Sequence, residues 1–372
     1  MPPDDALQGS GQIKLSDIYA EFTGTHSSQE IQLSDYHDEG NAPASGEIQL
    51  ATDFYGTSAF TNDQWFGSRH FANGHSADAN RISYKSSTSN GNVSDFGNLV
   101  YGNHRNAGNG TGNGKARGIA GSRYDTGSSA FSKAIDYYAT AITGNASDFG
   151  DADAAVQEGM GMSNGTLLFF AGGSWPYVDK MEYITIATTG DGTDAGNLQM
   201  GVNHAAASVS GNTRGAVFGG SAGAVGSDTL MYGTVDYITF HTSNNSEDFG
   251  DLSADDHQNT ACASSTRWVT KAGYDPDASG VKILIHMDYF TADTLGNYSD
   301  FGDIADRTRT SSGMADGTRG EFWGGHDATP YYGNLTDAIA YITIASTGDG
   351  TDAGNLHAAG SMQHVGLSGA AS

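Results

Sequence analysis

An all-β chain, built as a six-bladed β-propeller behind a small N-terminal module, is the fold this sequence predicts. Three observations predict it: a spacing that recurs six times, a glycine-rich and charge-poor composition, and a surplus strand segment at the C-terminus. Six times an aromatic strand residue is followed at a spacing of 11 by an Asp that opens an Asp-x-Gly-Asx motif, read as a turn. The pairs are Tyr84/Asp95, Tyr137/Asp148, Tyr183/Asp194, Tyr237/Asp248, Tyr289/Asp300 and Tyr341/Asp352. Successive Asp residues are 53, 46, 54, 52 and 52 positions apart, which marks one supersecondary unit copied along the chain.

One unit reads clearly between residues 203 and 252. Small residues Ala205 to Ser208 come first, then Arg214-Gly215-Ala216-Val217-Phe218-Gly219-Gly220. A variable loop leads to Val235-Asp236-Tyr237-Ile238-Thr239-Phe240, and a polar turn to Asp248-Phe249-Gly250-Asp251-Leu252. Four strand-sized pieces at this period make a kelch-like propeller blade. Runs such as Tyr183 to Ile186 and Tyr341 to Ile344 are apolar on both faces, as expected of strands covered on both sides by stacked sheets. Paired glycines at 172/173, 219/220 and 324/325 predict close backbone approach. The first repeat begins at Trp65-Phe66-Gly67 without a small-residue strand, whereas a surplus one, His364 to Ala371, follows the last. The C-terminal segment is therefore expected to complete the first blade and close the ring, leaving no sheet edge. The propeller is placed at residues 64–372.

Residues 1–57 follow another pattern, with ten acidic residues and one basic one, Lys14. Three short copies, Gln12 to Asp17, Glu30 to Asp35 and Glu47 to Asp53, each read as a brief strand followed by a helix N-cap and an aromatic. So small an apolar content makes a weak independent core. The segment is expected to complete its fold against the propeller that follows, another copy of itself or a different protein; the candidate docking residues are Leu15, Ile18, Phe22, Leu33, Tyr36, Leu50, Phe54 and Tyr55, with core packing as the alternative role for half of them.

A net charge of −26, from 43 acidic and 17 basic residues, argues against a nucleic-acid partner and an anionic membrane surface. No apolar run is long enough to span a bilayer, and the N-terminus lacks the regions of a signal peptide. Cys262, the single cysteine, excludes an intrachain disulfide and reads as a small buried strand residue.

Catalytic patterns are sparse. His104, His204, His257 and His364 recur with the repeat and lack partners at metal-ligand spacing, so a structural role and no metal are expected. Segments 189–194, 347–352 and 275–280 resemble calcium loops, but turn formation accounts for them, and His286 stands where the third would need Glu. The Gly-x-Ser-x-Gly match at 219–223 runs into a glycine-rich loop and not into a helix. No enzyme and no cofactor are expected. Loops between the second and third strands carry Tyr124, Trp175, Tyr177, Tyr274, Tyr331 and Tyr332, candidates for ligand recognition on a rigid scaffold, with packing between blades as the alternative role.

The run Ser10 to Phe22, with Ile31-Gln32-Leu33-Ser34-Asp35-Tyr36 and Ser45 to Gly56, resembles an N-terminal module of structural proteins of tailed bacteriophages, cyanophages especially. The Arg-Gly-x-x-Phe-Gly-Gly, Tyr-Ile-Thr-Ile and Asp-Phe-Gly-Asp-Leu motifs are similar to kelch-like domains of the same class. The resemblance implies a virion component, docked to other virion proteins by its first module with the ring displayed outward. Synthesis in the host cytoplasm and a homo-oligomer are separate expectations. A tail fibre or baseplate adhesin for a host-surface glycan or receptor is the leading expectation. A capsid decoration or head fibre, a self-assembling structural protein and a polysaccharide depolymerase are the alternatives.

Overall fold

The computed structural model describes residues 69–75, 78–101, 103–106, 117–121, 123–125, 130–156, 159–163, 165–173, 178–199, 207–210, 214–220, 232–240, 245–275, 283–292, 294–305, 307–327, 335–356 and 365–369. The chain divides into two units, Met1–Thr61 and Asn62–Ser372. The predicted docking residues, all before residue 56, lie outside the described residues.

Among the described residues the fold is all-β, with antiparallel pairing throughout and no helix. The third repeat shows the common plan: Met160–Ser163, Leu167–Ala171, Lys180–Thr185 and Thr193–Asn197, each strand paired with the next. Repeat four follows with Ala207–Ser210, Arg214–Phe218, Thr234–Thr239 and Glu247–Asp251. Repeat five comprises Thr260–Ala263, Arg267–Lys271, His286–Thr291 and Ser299–Asp303. In repeat six the first strand is broken into Thr308–Arg309 and Ser312–Ala315, both paired with Arg319–Asp327, which is followed by Leu335–Thr343 and Thr351–Asn355. Repeat two forms two three-stranded sheets that trace the same path, from Asn103–Asn106 through Arg117–Ala120 with Arg123–Asp125, then Ala130–Ser132 with Ala134–Ala139, to Ser147–Asp151.

Repeat one has Arg69–His75, Asp78–Ser86 and Ser94–Asn98, and its remaining strand is Val365–Gly369 from the far end of the chain. That strand pairs antiparallel with Arg69 to Asn73, the pairing expected of the surplus C-terminal segment.

The Asp-x-Gly-Asx motif, which opens like a turn but also supplies the fourth strand-sized piece of the unit, is a strand and not a turn. Its residues form the fourth strand itself, paired with the Tyr strand and bulged at the residue between Asp and Gly, so that Ile82 faces Gly97 while Ser83 faces Asp95. The bulge turns Phe96, Phe149, Ala195, Phe249, Phe301 and Ala353 into the interior, all nearly fully buried. The glycine that follows has positive φ, between 103° and 155° in the six copies, which explains why the motif has the composition of a turn.

The apolar core lies between successive repeats. Phe71, Ile82, Phe96 and Leu99 of repeat one pack with Ala120 and Tyr138 of repeat two, and equivalent clusters join repeats two and three, four and five, and five and six. Phe169 meets Phe240 between repeats three and four, ring centroids 5.5 Å apart. A further cluster joins Met314, Trp323, Ile339 and Ala353 of repeat six to Ala72 and Val93 of repeat one. Cys262 is buried as predicted, and burial pushes its thiol pKa up.

Candidate functional site

A shared latch ties the junctions between repeats. In five of them a Gly-Asx pair before the fourth strand docks on the fourth strand of the preceding repeat, and at the junction of repeats three and four, where the pair is Asn244-Asn245, the Asx contact is the shared part. Gly144 N donates to Phe96 O at 2.9 Å, Gly190 N to Phe149 O at 2.9 Å, Gly296 N to Phe249 O at 2.9 Å and Gly348 N to Phe301 O at 2.7 Å. The Asx side chain then accepts an amide two residues further along that strand. Asn145 takes the Asn98 N–H, Asp191 that of Asp151, Asn245 that of Asn197, Asn297 that of Asp251 and Asp349 that of Asp303. Repeat one latches repeat six identically: Gly91 N donates to Ala353 O at 2.8 Å, and Asn92 Oδ1 accepts from Asn355 N at 3.1 Å. Asp191 and Asp349, which gave two segments the look of calcium loops, are thus engaged by backbone amides.

The recurring Tyr has a matching role. Arg69, Arg117, Arg214, Arg267 and Arg319 lie over Tyr84, Tyr137, Tyr237, Tyr289 and Tyr341 at 3.6 to 5.2 Å from the ring centroids. Several also reach a carbonyl of another repeat, as Arg69 does at Thr140 O and Arg267 at Ile344 O.

A carboxylate just before the Tyr adds a further tie at four junctions. Asp136 accepts the Val100 amide, Glu182 that of Asp153, Asp236 that of Gln199 and Asp288 that of Ser253. Burial raises the pKa of Glu182, Asp236 and Asp288. Repeats one and six have Ser83 and Ala340 at this position, and both junctions of repeat six carry different polar chemistry.

Between repeats six and one, Glu321 is fully buried and accepts four hydrogen bonds. His70 Nδ1 lies 2.8 Å from Oε2 and Trp323 Nε1 donates to the same oxygen at 2.9 Å, while Lys85 Nζ at 2.7 Å and Arg319 Nε at 2.8 Å donate to Oε1. Burial alone would raise its pKa, but the His70 and Lys85 contacts win and hold it at about 2.

Between repeats five and six, buried Lys271 donates to Thr308 O, and Thr260 bonds Ser311. Two non-glycine residues adopt left-handed backbone here, Gln258 at φ 61° and Thr310 at φ 55°, joined by Thr310 N to Gln258 O at 3.0 Å. They occupy equivalent positions, two residues before the first-strand segments Thr260–Ala263 and Ser312–Ala315, so repeats five and six share this strained conformation. Opposite them sit Gly273 and Gly325. A Cβ on Gly325 would stand 2.5 Å from Arg309 O, the close approach its glycine pair predicts.

Of the candidate recognition residues, Tyr274 is in this cluster. It is buried, edge-on to His257 at 5.4 Å and beneath Arg309 at 5.0 Å, so it packs between repeats five and six. Tyr124 lies in a short strand, paired with His104 and Phe131. Trp175, Tyr177, Tyr331 and Tyr332 lie outside the described residues. The sequence reading missed Glu321 and the Gly-Asx latch. The latch was findable, since Gly91-Asn92, Gly144-Asn145, Gly190-Asp191, Gly296-Asn297 and Gly348-Asp349 keep a fixed place before the Asp.

Asp256 is fully buried beside these groups, accepts the Gly273 amide at 2.6 Å, and has its pKa pushed up to about 7, chiefly by desolvation. A folded-state pKa above the unfolded value means the folded protein holds the proton more tightly. That contribution to stability is full below about pH 4 and lost as pH rises through about 7. Glu321 acts oppositely, contributing above its ordinary value of 4.5 and losing that contribution as pH falls toward 2. The melting temperature is therefore expected to peak in mildly acidic buffer, and Asp256→Asn is expected to flatten its decline as pH rises toward 7. An unchanged slope in that variant would assign the decline to other groups.

Among the described residues no cluster of three or more His, Cys, Asp or Glu is placed to hold a metal ion. The chain matches no protein-family model, and no curated protein matches it.

Proposed function

We propose that residues 64–372 form a closed six-bladed β-propeller and that the protein is a non-enzymatic virion component, a tail fibre or baseplate adhesin of a tailed phage. The latch carries this reading. It runs from each repeat to the next and again from repeat one to repeat six, which is the contact pattern of a ring. The C-terminal strand in the first sheet supports the same closure. A scaffold joined in this way holds its loops in fixed relation, which suits recognition.

The connections from second to third strand differ most in length. They span 76–77 in repeat one but 219–233 in repeat four and 272–285 in repeat five. They include Trp175, Tyr177, Tyr331 and Tyr332, and a glycan or receptor on the host surface is the proposed ligand. The acidic N-terminal segment is the proposed attachment to other virion proteins, and the assembled protein is proposed to be a homo-oligomer.

Labelled full-length protein is expected to bind cells the particle infects, saturably and in competition with their envelope polysaccharide. Antibody against it is expected to decorate the tail. Absence of binding while the particle adsorbs through another protein contradicts the adhesin reading. Antibody decoration spread over the head at high copy number would favour capsid decoration, and shortened polysaccharide chains would favour a depolymerase.

A further inference from the structure

The Glu321 cluster stands where the other junctions are apolar. The residue opposite the recurring Tyr is Phe71, Ile119, Phe169, Ala216 or Val269 in repeats one to five, and Glu321 in repeat six. The first repeat departs at the neighbouring pair. His70 faces Lys85, whereas the equivalent pairs are Gly118/Tyr138, Leu168/Ile184, Gly215/Ile238, Trp268/Phe290 and Gly320/Ile342. An acid unique to the last repeat therefore meets two bases unique to the first, and all three are nearly or fully buried.

Stability alone does not account for this arrangement. A buried ion pair commonly contributes no more than an apolar replacement of similar volume. The network is also incomplete, because His70 Nε2 is buried without a hydrogen-bond partner. What the charges do supply is discrimination. The repeats otherwise present similar apolar faces, and arrays of similar units are prone to pairing wrongly. Repeat five is synthesised before repeat six and offers Val269 at the critical position. Closing on it would bury Lys85 and His70 against an apolar side chain, at the cost of an uncompensated charge. Glu321 would be equally stranded against the apolar face of any repeat but the first.

We propose that Glu321, His70 and Lys85 are a closure key. They let only the sixth repeat pair with the first and suppress premature closure by the fifth. The proposal rests on the ring reading, which hydrogen exchange of the unmutated chain tests separately.

Three forms of the full chain test it: wild type, Glu321→Val, and the triple variant His70→Leu, Lys85→Ile, Glu321→Val, with residues borrowed from other repeats. Each is unfolded in denaturant and refolded, and the native fraction is measured by size exclusion and native mass spectrometry with limited proteolysis. Glu321→Val leaves two buried bases unpaired, so its native yield is expected to fall at least tenfold. The triple variant, in which Trp323 Nε1 and Arg319 Nε still lose their acceptor, is expected to regain part of the unfolding midpoint lost in Glu321→Val yet to refold with a native yield reduced at least threefold, the remainder being misassembled. A triple variant that refolds as completely as wild type, or that is no more stable than Glu321→Val, overturns the proposal.

Discussion

Substituting Ala for Gly302 is expected to destabilise the protein by roughly 3 kcal/mol or more, from backbone strain and steric overlap together. Gly302 has φ 143°, a conformation L side chains rarely adopt, and a Cβ there would stand 2.6 Å from Gly348 O. Gly348 is the latch residue whose N–H is bonded to Phe301 O, so no flexible side chain can yield. Gly354→Ala is expected to behave alike, since its Cβ would lie 2.6 Å from the Gly91 carbonyl carbon at the junction of repeats six and one. The control is Gly165→Ala. It also has positive φ, 78°, but an added Cβ would meet nothing, so it reports strain without overlap. Chemical denaturation of the three variants checks the ranking, with Gly165→Ala the mildest.

Removing residues 365–372 is expected to have a still larger effect. It deletes the strand paired with Arg69 to Asn73 and strips cover from a sheet edge in which Phe71, Ala72 and Asn73 are buried. An exposed edge of that kind pairs with other chains. Marginal stability of about 5–15 kcal/mol leaves little margin for the loss. The truncated chain is expected to lose a single cooperative unfolding transition and to self-associate. Circular dichroism melting and light scattering would show both, and a monodisperse truncation with an unchanged melt would refute the role assigned to this strand.

Much of the fold was legible because one unit is repeated. The period located the strands, the surplus C-terminal segment located its partner, and the paired glycines marked close backbone approach. The Asp-x-Gly-Asx motif misled because glycine at positive φ serves a bulge as well as a turn, and composition cannot separate them. The Arg-over-Tyr stack was hidden for another reason. Arg69 and Tyr84 sit on adjacent strands, and only strand register brings them together. The closure cluster was the least legible. Glu321, His70 and Lys85 are separated by up to 251 positions, and each looks like an ordinary polar residue until the repeats are aligned by register. Tyr274 shows the limit of reading loops by composition, since an aromatic in a variable connection is here a buried contact between repeats.

The central claim is that repeat six is joined to repeat one as firmly as to repeat five. Native-state hydrogen exchange tests it most directly. At the first junction the reporters are Gly91 N, bonded to Ala353 O, and Val93 N, bonded to Asn355 O. At the second they are Gly348 N, bonded to Phe301 O, and Gly350 N, bonded to Asp303 O. A closed ring predicts that all four amides exchange slowly and with similar protection. Gly91 and Val93 exchanging at the rate of exposed amides, while Gly348 and Gly350 stay protected, would contradict it.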